Sequence, residues 1–209
     1  MAPKVVDKQA KRAVITQAAA EVFASKGFQG ASVDDIAAAA GVSKGSLYSY
    51  FKNKEELFYA TFQAFQAQLL LECEATMAKE QSASSKLQAC LMLSVESLHG
   101  HIELFPLTLE LWAAASSGSA RERFAAVMEA LYREFRGMTA GLINIGKASG
   151  EFRQDVDAEA VAAWVVGGLD GMMLQYWFDQ SLDVRRWTEN YLAMVLRGIA
   201  VDTDHGGTK

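Results

Sequence analysis

Cysteine is nearly missing from this 209-residue chain, which holds only Cys73 and Cys90. Two thiols cannot build a disulfide framework. They suit a reducing compartment, and each reads as a small buried hydrophobe. Proline is as rare, with Pro3 and Pro106 alone, so little interrupts helices, and the period-two alternation of strands is almost absent. No secretory leader is legible, because Pro3 to Arg12 is polar and charged, and the chain is expected in the cytoplasm. Ala160 to Phe178 comes nearest to a membrane span, but Asp170 and Gln175 interrupt it. An acid at a membrane helix centre costs roughly 2.5–3.5 kcal/mol, so this segment is read as a buried protein helix and no membrane partner is expected.

Catalytic motifs are also lacking. There is no phosphate loop, dinucleotide glycine motif, nucleophile elbow or HExxH. His99, His101 and Glu103 suggest a metal or acid-base cluster, yet no second ligand group stands at a recognised spacing. No catalytic residue, metal ligand or cofactor is therefore assigned, and a helical enzyme stays only as an alternative.

What the chain has is apolar residues at helical spacing: 51% of it is hydrophobic, enough for a sizeable core. The periodicity places helices over Lys54–Glu80, Ser85–Leu98, Phe105–Ala115, Ser119–Gly146, Asp157–Gln180 and Val184–Val201. The expected fold class is all-α. Ahead of these lies a shorter pattern. Ile15, Ala19, Val22 and Phe23 mark a first helix over Asp7–Lys26, which Gly27 ends and Phe28 closes by packing on Phe23. Ser32 and Asp35 form a capping box for Val33–Ala40, Gly41 is the C′ residue, and Val42 packs back. Ser43 caps Lys44–Tyr50, with Leu47 and Phe51 inward, and Asn53 with Glu56 starts the next helix.

Two short helices joined by a tight turn can set the second into a DNA major groove about 12 Å wide. Gly45 and Ser46 allow close approach of backbone N–H groups to a phosphate, Lys44 adds a cation, and Tyr48 and Lys54 can donate to phosphates on either side. Lys44 is the only cation on this reading helix, and no Arg, Asn or Gln lies on it, so base choice rests on Lys44 and on DNA shape. The charge is divided to match: residues 1–58 carry eight Lys/Arg against six Asp/Glu, and residues 59–209 carry twelve against nineteen, so cationic character is confined to one end.

Through I-x3-A-x3-F-x3-G-F over Ile15–Phe28, S-V-D-D-I-A, A-G-V-S-K-G-S-L-Y-S-Y-F and K-N-K-E-E-L-F, the first 60 or so residues resemble the TetR family of transcriptional regulators. The resemblance implies a three-helix DNA-binding head, here residues 1–53, on a helical effector-binding and dimerisation body, here 54–209. It carries DNA contact onto Ser32, Lys44, Gly45, Ser46, Tyr48, Tyr50 and Lys54. It implies a repressor that binds a palindromic operator in double-stranded DNA as a homodimer and is released by a small molecule. An architectural DNA-binding protein without ligand control is the alternative.

The resemblance places dimerisation on the last two helices. Asp157–Gln180 is apolar nearly all round, as a helix serving both a core and a partner must be. Trp164, Gly167, Gly168 and Gly171 on it, with Trp187, Tyr191, Leu192, Val195 and Leu196 on the last helix, form the expected interface. The family commonly leaves a cavity between the middle helices, so Phe105, Trp112, Phe124, Met128, Tyr132, Trp164, Met172 and Tyr176 are candidate ligand-binding residues for an unknown, largely apolar effector. Glu110 and Trp112 point about 200° apart on one helix, which puts Trp112 inward and Glu110 at a surface or seam. Asp170 is a second acid that could meet a ligand. LTLELWAAA and GEFR are similar to the choline-responsive branch of the family.

Overall fold

The computed structural model describes residues 8–116 and 121–201. Ser119, at the expected start of a helix, lies outside the described residues. Within them the chain forms α1 (Lys8–Gly30), α2 (Val33–Ala39), α3 (Lys44–Tyr48), α4 (Lys54–Met77), α5 (Ala83–Gly100), a short 3-10 turn (Ile102–Leu104), α6 (Phe105–Ser116), α7 (Arg121–Ser149), α8 (Ala158–Phe178) and α9 (Val184–Ile199). The all-α expectation is met, and no helix among the described residues is long and apolar enough to cross a membrane.

The first helical run breaks at Gly27 as expected, with φ 68 and ψ 170 there and Phe28 packed on Phe23, and one further turn runs to Gly30. One element differs from expectation. α3 spans five residues, so Tyr50 lies beyond the reading helix, its N–H bonded to Leu47 O at 2.9 Å.

The chain packs as two compact units. The first takes residues up to 68 together with 103–124. Its core holds Ile15, Phe23, Ile36, Leu47, Phe51, Leu57 and Leu111, all essentially buried. Phe23, Phe28 and Phe58 meet at centroid distances of 4.8–5.9 Å, and Phe58 also meets Phe124 at 6.3 Å. Edge-to-face and tilted packing of this kind adds to what area burial contributes.

The second unit takes residues 69–102 and 125 onward. Leu87, Leu91, Ile143, Phe152, Ala162, Val165 and Leu192 form its core. The GEFR segment is structural. Gly150 takes φ 79, and Phe152 seats on Gly146, where a Cβ would lie 2.1 Å from the ring. Glu151 caps the start of α5, accepting from Ala83 N at 2.8 Å and from Ser84 N and Ser84 Oγ at 3.1 Å each. Cys73 and Cys90 are buried beside Leu69, and the Cys90 thiol is pushed up by its hydrogen bond with Cys73 and by burial. Such a thiol is a packing residue and a poor nucleophile.

Candidate nucleic-acid interface

Local chemistry sets the helix-turn-helix. Asp35 N donates to Ser32 Oγ at 3.1 Å, and Ser32 N donates back to Asp35 Oδ2 at 3.0 Å, a complete capping box. α2 closes in a Schellman turn: Val42 N reaches Ala37 O at 2.9 Å, Gly41 N reaches Ala38 O at 3.1 Å, and Gly41 takes φ 62. Ser43 Oγ accepts from Ser46 N at 3.1 Å. Asn53 Oδ1 accepts from Glu56 N at 2.8 Å, while the Glu56 carboxylate turns to Lys52 N at 2.7 Å.

The face this produces is small and polar. Lys44, Gly45 and Tyr48 are exposed, and Ser46 and Tyr50 are half-buried. A Cβ at Gly45 would meet nothing within 4 Å, so nothing inside the chain requires glycine there. Lys44 Nζ pairs with Asp34 Oδ2 at 2.8 Å, and that bond followed by the charge of Asp34 raises the lysine's pKa. Lys26 pairs with Asp35 at 2.7 Å. The Lys26 ammonium, then the Ser32 hydroxyl and N–H, hold the Asp35 carboxyl well below the usual carboxylate range.

Besides Lys44, three of the sequence-based DNA contacts are engaged within the chain. Ser32 Oγ both accepts from Asp35 N and donates to Asp35 Oδ2 at 2.6 Å. The Ser46 N–H is taken by Ser43, so it does not stand open to a phosphate. Lys54 is the largest correction. Its Nζ donates to Phe28 O at 2.7 Å, Ala31 O at 3.1 Å and Gln29 O at 3.4 Å, and sits 4.5 Å above the Phe28 ring. An ammonium has three donors, and all are spent on carbonyls.

Sequence reasoning missed Arg12, which donates to Tyr50 O at 2.9 Å with its guanidinium 4.2 Å above Phe51, and so ties α1 to the end of the reading helix. It also missed the partner of Glu110, whose Oε2 accepts from Phe28 N at 2.7 Å. The seam expected for Glu110 is this one. No spacing rule reaches across 38 or 82 residues.

The expected ligand-binding residues divide between the units. In the first, Phe105 and Phe124 are buried, Trp112 is half-buried and its neighbour Leu111 is wholly enclosed. In the second, Met128 and Tyr176 are buried, and Tyr132 and Met172 are half-buried. Tyr176 Oη lies 3.0 Å from His99 Nε2, His101 Nδ1 lies 2.8 Å from Ser97 O, and the Glu103 side chain is outside the described residues. Burial raises the Asp170 pKa, and a hydrogen bond with Tyr132 offsets this in part. Trp164 is 79% exposed, which removes it from any internal pocket.

The expected interface residues divide between the core of their own unit and its surface. Leu192 is 1% exposed and belongs to the core of its own unit, with Tyr191, Val195 and Leu196 packed against that core. Gly168 lets α9 approach α8 in the same chain, since a Cβ there would stand 3.4 Å from the Tyr191 ring, and Tyr191 Oη donates to Trp164 O at 3.2 Å. Trp187 is half-buried. Of the expected residues, Trp164, Gly167 and Gly171 on α8 lie on an outward apolar stripe, which Met194 and Gly198 on α9 extend. Gly167, Gly171 and Gly198 face open space, and Met194 is 59% exposed. A groove of about 480 Å³ lies along this face, lined in part by Ala160, Trp164, Tyr191, Met194 and Gly198.

Two family models match. One described as bacterial regulatory proteins, tetR family, covers residues 15–61, and one described as BetI-type transcriptional repressor, C-terminal, covers 83–197. The HTH-type transcriptional repressor KstR2 of Mycolicibacterium smegmatis is 30% identical over 95% of this chain and 96% of its own. The structure of the ketosteroid transcriptional regulator KstR2 of Mycobacterium tuberculosis is 28% identical, covers 91% of this chain and 95% of its own, and has a TM-score of 0.64. The regulator FadR of Bacillus subtilis, solved in complex with stearoyl-CoA, is 26% identical over 90% of this chain and 98% of its own, with a TM-score of 0.77. A reading helix set by its caps, a helical body and two family models that together span most of the chain agree, and the protein belongs to the TetR family of ligand-responsive transcriptional repressors.

Proposed function

We propose that the protein represses transcription in the cytoplasm as a homodimer on a palindromic operator, with Lys44, Gly45 and Tyr48 meeting DNA directly and Ser32, Ser46 and Tyr50 at the edge of the contact. The observation that carries this reading is Gly45: it is exposed, and a Cβ there would touch nothing in the chain, so the small residue serves an approaching surface. Lys44 exchanges Asp34 for phosphate or a base edge, as an exposed ion pair of small net worth readily does. Two reading helices must span successive major grooves, and the Trp164–Met194 stripe is the apolar surface that brings two copies together.

The effector we infer has a large apolar body. The related FadR was solved with stearoyl-CoA and the related KstR2 is described as a ketosteroid regulator, and a long acyl chain and a steroid skeleton are both large hydrocarbon bodies. Tyr132 and Asp170, joined by a hydrogen bond in an apolar body, supply a polar point for such a ligand. Thermal shift with long-chain acyl-CoA thioesters and steroids tests this: an effector raises the melting temperature with concentration by mass action and lowers operator affinity. A set of such compounds that stabilises the protein without weakening DNA binding would support the architectural alternative.

A further inference from the structure

The DNA-binding unit includes α6, although α6 begins some fifty residues after the helix-turn-helix ends. The joint is the turn from Gly27 to Ala31. Gly27 breaks α1 at φ 68 and frees the N–H of Phe28, which the Glu110 carboxylate takes at 2.7 Å. Only glycine fits there: a Cβ would meet Glu110 Oε1 at 3.0 Å and would sit on a backbone that side chains rarely adopt. At the other end of the same turn, Lys54 collects the carbonyls of Phe28, Gln29 and Ala31. A carboxylate at the N–H end and an ammonium at the carbonyl end is the arrangement a helical turn's dipole favours. Ala31, 3% exposed, leads directly into Ser32, the cap that fixes where α2 starts, and α2 with its Schellman turn fixes α3.

We propose that Glu110 is a positioning residue for DNA recognition: acting through the Phe28–Ala31 turn, it makes the pose of the reading helix depend on α6. The proposal rests on the DNA-binding reading above. It adds that a residue remote from DNA, on a helix outside the three-helix head, sets operator affinity.

The test uses the full-length protein, a fluorescent duplex carrying the region upstream of its own gene, and anisotropy titrations over a series of KCl concentrations. Binding by the unmodified protein checks the DNA-binding reading itself. Glu110→Ala should bind about tenfold more weakly, as expected for loss of a hydrogen bond to a charged group. Its salt dependence should be unchanged, because no phosphate contact is lost. Glu110→Gln should recover most of the affinity, since its carbonyl can accept the same N–H. Lys54→Ala should weaken binding too, and the double variant should lose less than the product of the two single losses, as residues acting through one turn must. Independently of DNA, backbone amide exchange over Phe28–Ala37 should quicken in Glu110→Ala and stay near the parent rate in Glu110→Gln.

Glu110→Ala binding within twofold of the parent, a shallower salt dependence, or a Glu110→Gln protein as weak as Glu110→Ala would each overturn the proposal. So would unchanged amide exchange over that segment, whatever the DNA result. If Glu110→Ala does not fold, Glu110→Met, which keeps the bulk of the side chain and removes the acceptor for the Phe28 N–H, replaces it with the same expected losses.

Discussion

Replacing Trp164 with alanine separates the outward face of α8 from its core face. The indole is 79% exposed, so covering it with a second copy removes roughly 160 Å² of about 200 Å² from water, an upper bound of about 4 kcal/mol at ~25 cal/mol per Å². A two-fold interface counts every residue twice. Taking only the hot-spot threshold of about 2 kcal/mol per copy, Trp164→Ala should cost about 4 kcal/mol of dimerisation, near a thousandfold in the dimer dissociation constant. Sedimentation equilibrium over a range of protein concentrations measures this directly. Leu192→Ala is the contrast, because Leu192 is 1% exposed. It should lower stability by about 2–5 kcal/mol through a core cavity and leave the association of folded protein near the parent value. A Trp164→Ala protein that dimerises as tightly as its parent refutes the reasoning.

Other outcomes follow from single contacts. Asp34→Asn releases Lys44 from its 2.8 Å partner and removes a carboxylate beside the DNA phosphates, so operator affinity should rise several-fold, about one power-of-ten step at most; weaker binding would contradict the placement of Lys44. Lys44→Ala should weaken binding and relax base preference at one position per half-site, read by competition with mutated duplexes. Gly41→Ala should cost about 1 kcal/mol of unfolding free energy from backbone strain alone, read as a lowered denaturant midpoint, since φ is 62 and a Cβ would meet nothing within 4 Å. Burial pushes the Glu151 carboxyl up, but donors from Ala83, Ser84 and Ser149 outweigh it and lower its pKa. Its stabilising effect is therefore present above the ordinary carboxylate range and lost as pH falls through the lowered folded value. Glu151→Gln should be less stable than the parent at neutral pH, and urea titrations should show the gap closing as pH falls below the ordinary carboxylate range.

Capping and turn chemistry acts within a few residues, and for that reason the reading-helix geometry was legible. The Ser32–Asp35 box, the Gly41 turn and the Ser43 cap all stand where side chain and spacing placed them. The phase of α8 was not legible, because a helix apolar nearly all round carries no mark of which side faces its own core: Trp164 points out while Val165, its neighbour, is 1% exposed. On α9 the apolar stripe is real, but Leu192 on it is enclosed in the core, while Tyr191 and Val195 also reach the groove that Met194 and Gly198 line. Lys54 could be read from sequence as a phosphate donor because a cation at a helix start looks free until its carbonyl partners, 23 to 26 residues back, are brought to it by folding. The link from Glu110 to Phe28 is more distant still and has no sequence signal.

We read the protein as a DNA-bound repressor whose grip is loosened by a molecule with a large apolar body. A nuclease footprint of the full-length protein on the DNA upstream of its own gene, repeated as stearoyl-CoA is titrated in, tests it most directly. A protected palindrome with half-sites one helical turn or a multiple apart is expected, with protection that fades as the acyl-CoA rises. Protection without a bounded site, or a palindrome whose protection no acyl-CoA or steroid diminishes, would contradict it.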